Sequence, residues 1–202
     1  MNSAKQRFID AIAHTKSLSQ LHTHVTATYA LPHDPDDLNR TKVVWSVSAF
    51  DKLIHDLIRL GMVQTFMGQR NPTPKYLSEP VPLSTIVNTY TVAVMAAAIT
   101  FEQVVFGKLK HLSFQDPQKL TDGLSLIWPE KHKWTVIAAD MGLSEADART
   151  TLSLIASRRN AIVHESDLDP ITLIKTPLDA QTSDDVVSYI ERLGHAICNR
   201  IM

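Results

Sequence analysis

Apolar side chains recur along this chain at intervals of three and four, the period of an α-helix with one buried face. Residues 3 to 30 place Phe8, Ile12, Leu18 and Leu21 in that pattern. The segment 31–37, LPHDPDD, ends it with two prolines and offers Asp36 or Asp37 as the cap of the next helix. The strongest pattern runs from Lys42 to about Gly68, where Val47, Phe50, Leu53, Ile54, Leu57, Ile58 and Gly61 share one side. The twelve residues 71–82, NPTPKYLSEPVP, carry four prolines and are expected as an extended loop.

Residues 84 to 109 predict a third helix. Its TVAVMAAAITF stretch is apolar nearly all round, so it belongs at the centre of a bundle or at an interface. The Thr and Val residues of 85–94 also suit a strand, but the alanine run and the lack of turn residues favour helix. A short helix is expected over 115–122, and another with Pro129 at its first position, ending near Met141 and Gly142. Ser144 and Asp147 have capping-box spacing ahead of a helix that reaches about His164. ESDLDP (165–170) stops it, and ITLIKTPLD is expected to be irregular or briefly extended. Ser183 is the expected cap of a final helix striped by Val186, Ile190, Leu193, Ile197 and Ile201. The fold class is therefore all-α, a bundle of long antiparallel helices forming a single domain over residues 1–202, with no internal repeat.

Composition changes this picture little. Six glycines argue against a turn-rich β architecture, and the size allows a core without disulfides or metals. The formal net charge of -1 counts against a protein that grips a long duplex, but not against an enzyme that holds a few phosphates. Cys198 has no cysteine partner and sits in the last helical pattern as a small core residue, which fits the reducing cytoplasm. The N-terminal stretch lacks the apolar core of a secretory signal. The apolar run from Tyr90 to Ile99 is too short to span a bilayer, so no membrane partner is expected.

One position departs from the binary pattern. Leu152, Ile155, Arg159, Ile162 and Val163 form a stripe, and Arg159 falls inside it. An arginine there must be paired, at a rim, or lining a pocket. Asn160 and His164 are four apart and share a face. Arg159 and His164 are about 140° apart around the axis and roughly 7.5 Å along it, a gap that a long side chain or a frayed helix end can close. Imidazole moves protons near neutrality, and a guanidinium matches phosphate oxygens in its planar fork. Asparagine can orient either one. Such groups can cleave RNA by 2′-hydroxyl attack without a metal. The plainer alternative has Arg159 pairing with Asp167 or Glu165, and His164 capping the helix C-terminus.

The string RNAIVHESDLDP (159–170), with Arg159 and His164 enclosing four residues, resembles the signature of the HEPN superfamily, and most of all its RiboL-PSP branch. The helix SAFDKLIHDLIRLGMV (48–63) is similar to that branch's early helix. The resemblance implies a HEPN-like bundle that dimerises and brings two Arg-His motifs into one cleft. It also implies an endoribonuclease working without metal or other cofactor, in a toxin–antitoxin or phage-defence setting with an antitoxin or defence-system partner. Some HEPN proteins are instead inactive interaction modules, and that is the alternative function.

Supporting candidates are Asp51 and His55, four apart on one helix and followed by Arg59, and Arg158 as an added phosphate contact. Their plain readings are a solvated charged face and an exposed helical arginine. The nine histidines form no HExxH, and no Cys-x2-Cys is present, so no metal site is expected.

Overall fold

The computed structural model describes residues 1–29, 36–90 and 92–202. The architecture is all-helical: α1 (Asn2–Thr28), α2 (Asp37–Phe66), α3 (Pro74–Ser78), α4 (Leu83–Tyr90), α5 (Val94–Leu109), α6 (Pro117–Leu124), α7 (Lys133–Asp140), α8 (Glu145–His164) and α9 (Ala180–Ile201). Among the described residues the only extended pairing is an isolated antiparallel bridge between Leu168 and Lys175.

Helix α2 is the axis of the molecule, packing against α1, α5, α6, α8 and α9. Its predicted apolar side is buried throughout, with Val47, Phe50, Ile54, Leu57 and Ile58 fully enclosed. Each such side chain contributes roughly 1.5–3 kcal/mol by leaving water. The α9 stripe of Ile190, Leu193, Ile197 and Ile201 is buried against the same core, with Val186 half-buried at its edge. Cys198 is buried there as expected. Helices α1 and α9 meet closely at Gly194, where a Cβ would stand 2.4 Å from the Phe8 ring.

Polar groups brace the core. Lys42 is fully buried, and its ammonium donates to Asp184 (2.7 Å) and Ser19 (3.0 Å). Asp56, nearly buried, receives Arg7, Lys52 and Arg59. Burial pushes its carboxyl up, but the hydrogen bonds from Lys52, Arg7 and Arg59 outweigh that and hold it below the usual carboxylate range.

Several boundaries differ from the sequence expectations. The 71–82 segment is not wholly extended: Thr73 caps the one-turn α3 by accepting the Tyr76 amide, and Pro74 opens it. The helix expected over 84–109 is broken between Tyr90 and Val94 into α4 and α5, which pack on each other. Helix α5 packs on α2, with Ala97, Phe101 and Val105 buried. Pro129 does not start a helix; α7 begins at Lys133. The α9 cap is Asp179, whose carboxylate accepts the Thr182 amide, whereas Ser183 is buried and donates to Ala180 O and Asn39 Oδ1. Helix α2 starts five residues before Lys42, with Asp36 at its N-cap position; residues 31–35 of the predicted breaker lie outside the described residues.

Helix α5 is apolar on two sides. Ala97, Ala98, Phe101, Val105 and Leu109 face inward, while Met95, Ile99 and Phe106 are more than half exposed. Leu83, Val87 and Tyr90 give α4 a similar outward stripe. No helix among the described residues is long and apolar enough to cross a membrane.

Candidate active site

The end of α8 is fixed by its own backbone and by a buried carboxylate. Ser144 caps the start, accepting the Asp147 amide at 3.0 Å and donating to the Asp147 carboxylate at 2.6 Å. At the other end the helix holds its geometry through His164 and then turns sharply. Glu165 N and Asp167 N both donate to Ala161 O, and Ser166 and Asp167 take φ of 55° and 59°. Left-handed backbone costs roughly 1–2 kcal/mol per non-glycine residue, so other contacts must hold this turn.

Asp167 supplies them. Its side chain is completely buried, and Oδ2 accepts Arg40 Nε at 2.7 Å and Arg158 Nη2 at 2.9 Å. Both arginines also donate to Thr176 O at 2.9 Å, and the Thr176 amide donates to Asp167 O. The strap from 165 to 178 is thus pinned to the start of α2 and the last turns of α8. Asp169 folds its tip, accepting the Ile171 and Thr172 amides, and Lys175 pairs with Asp37 at 2.7 Å.

The predicted site residues fall around this anchor. Arg159 is half-buried; its Nη1 donates to Asn160 Oδ1 at 3.1 Å, and its buried Nε has no hydrogen-bond partner among the described residues. Asn160 and His164 are exposed. Because α8 is intact through His164, fraying does not close the gap to Arg159, whose side-chain hydrogen bond goes to Asn160. Asp167, one expected partner of Arg159, is taken by Arg40 and Arg158 instead. Arg158 joins that network through Nη2, and its side chain stays partly exposed.

Asp51 and His55 are elsewhere. Asp51 accepts the Phe114 amide at 2.6 Å, and His55 Nε2 lies 3.2 Å from Leu112 O with its ring edge-on to Phe114. They fasten the segment after α5 and contact neither Arg159 nor His164. Arg59 likewise turns to Asp56 and Glu102.

A cavity of about 340 Å³ opens beside α8, with Arg40, Trp45, Ile162, Ser166 and Lys175 in its lining. Trp45 is stacked on His14, centroids 5.3 Å apart. Ile162 is roughly 200° from His164 around the helix, so this cavity and the imidazole sit on opposite sides of α8.

The Arg40–Asp167–Arg158 anchor was not foreseen from the sequence. Its members are 127 and nine residues apart. No local pattern links Arg40 to Asp167.

One chain therefore offers a guanidinium already oriented by an amide, with its imidazole solvent-facing a turn and a half away. It can hold an anion at Arg159 and exchange protons with solvent at His164. No family model, no curated protein and no solved structure matches the chain significantly.

Proposed function

We propose that this protein is a metal-independent endoribonuclease of the HEPN type, a cytoplasmic homodimer acting in a toxin–antitoxin or phage-defence system. The observation that carries the reading is Arg159: a half-buried guanidinium with an unpartnered Nε and its Nη1 on Asn160, in the same helix end that presents His164. Such a group is set up to receive a charged partner such as an RNA phosphate. In the proposed reaction His164 takes the 2′-hydroxyl proton. The 2′ oxygen bonds to phosphorus, Arg159 offsets the added charge, and the bond to the 5′ oxygen breaks. That oxygen takes a proton from the second histidine of the dimer. The products are a 2′,3′-cyclic phosphate and a 5′-hydroxyl.

The dimer would bring a second Arg159–His164 pair to the site. The outward apolar stripes of α4 and α5 support self-association, because exposed patches of this kind mark interfaces. The same stripes, with the net charge of -1, favour a second reading: a non-catalytic module that binds an antitoxin or another defence protein.

The test is cleavage of total and transfer RNA in EDTA by wild type and by His164→Ala. Cleavage by wild type alone, with cyclic-phosphate ends, is the expected result. Equal cleavage by the variant would remove His164 from the mechanism, and no cleavage by either protein would favour the binding module.

A further inference from the structure

A concavity away from α8 does not depend on the ribonuclease reading. It holds about 400 Å³, floored by Met62, Val105, Leu109, Phe114 and Leu126. Its wall is preformed. Asp51 and His55 clamp Leu112 to Phe114, and Gly123 lets the Phe114 ring lie against α6, where a Cβ would stand 2.4 Å from the ring.

The rim is basic. Lys75, Lys119 and His111 line it exposed and, among the described residues, without an ion pair or side-chain hydrogen bond; Glu79 is paired with Lys108, and Asp122 accepts from the uncharged Gln118 amide. A second cavity of about 280 Å³ shares Met62 and Glu79 with the first and runs on past Phe66, Tyr76 and Phe101. Phe66 and Phe101 stack at 4.5 Å along it. The two cavities adjoin at Met62 and Glu79, a mostly apolar track crossed by the Glu79–Lys108 pair, with Lys75 and Lys119 at the first cavity.

We infer that this track binds an amphipathic anion, with a carboxylate or phosphate head at Lys75 and Lys119 and an unbranched apolar tail running past Met62 toward Phe101. Concave, mostly apolar pockets with a few placed polar groups are the usual form of small-molecule sites. The unpaired lysines select the charge of the head, and the length of the track selects the tail.

Calorimetric titration of the full chain with hexanoate, octanoate, decanoate, decyl phosphate and decanol tests this. Decanoate and decyl phosphate should bind one per chain, the tighter of the two showing which head the site prefers. Affinity should rise about fourfold per methylene from hexanoate to decanoate. Decanol should bind at least tenfold more weakly. Lys75→Ala with Lys119→Ala, folded by circular dichroism, should lose at least tenfold for the anions and leave decanol unchanged. Leu109→Ala, which opens the floor, should weaken every ligand including decanol. Absence of saturable heat, equal affinity for decanol and decanoate, or indifference of the anions to the double lysine change would overturn the proposal.

Discussion

Arg40 and Asp167, 127 residues apart, meet at 2.7 Å and join the first turn of α2 to the turn that ends α8. The carboxylate is fully buried, and Arg158 shares the same oxygen. Removing one member of a buried ionic set leaves the others uncompensated, which typically costs about 3–5 kcal/mol. Asp167→Ala should therefore destabilise the fold strongly in urea denaturation. Asp167→Asn, which keeps the shape, should cost less. If His164 is catalytic, both should also lower RNA cleavage beyond what the unfolded fraction explains.

Asp56 gives the fold an acid-sensitive contact. Its folded pKa lies below the unfolded value, so its stabilisation is complete above that unfolded value, about 3.9, and is lost as pH falls through the folded one. Asp56→Asn should cost roughly 1.5–3 kcal/mol at neutral pH, the range for hydrogen bonds to charged groups. The gap between variant and wild type should narrow below about pH 4. A gap that stays constant from neutral pH into that range, in denaturation curves taken at each pH, would show that the three cations do not stabilise the carboxylate.

Gly194 sets the approach of α1 to α9. A methyl group there meets the Phe8 ring at 2.4 to 2.5 Å and Leu53 Cδ2 at 3.2 Å. Helix propensity favours alanine by roughly 1 kcal/mol, but overpacking a filled core costs about 1–3 kcal/mol. The core is dense here, so Gly194→Ala should be destabilising and should lower the midpoint of thermal unfolding. A raised midpoint would mean that the ring moves aside freely.

Cys198 should be inert in the folded protein. Burial pushes its thiol up to about 11, so little thiolate exists at neutral pH, and the sulfur is out of solvent. Labelling by an aromatic disulfide reagent at pH 8 should follow the rate of global opening and accelerate sharply in urea. Fast labelling without denaturant would indicate local opening of the α9 C-terminus.

The long helices were legible in the chain because their burial is periodic. The apolar stripes of α2 and α9, the Ser144 cap and the end of α8 at His164 are local properties, set by residues three or four apart. The anomaly of Arg159 within a stripe was equally local, and in the structure it is a half-buried guanidinium with an unpartnered Nε. Tertiary packing decided the rest. The separation of α4 from α5 is marked by no glycine or proline between Tyr90 and Val94. Asp51 and His55, supporting candidates in the sequence, hold residues 112–114 by hydrogen bonds in the structure. Arg158 pairs through Nη2 with Asp167, nine residues on in the strap. Periodicity reports which side of a helix leaves water. It carries no information on which distant polar group will be waiting there, because that depends on how the helices are arranged in three dimensions.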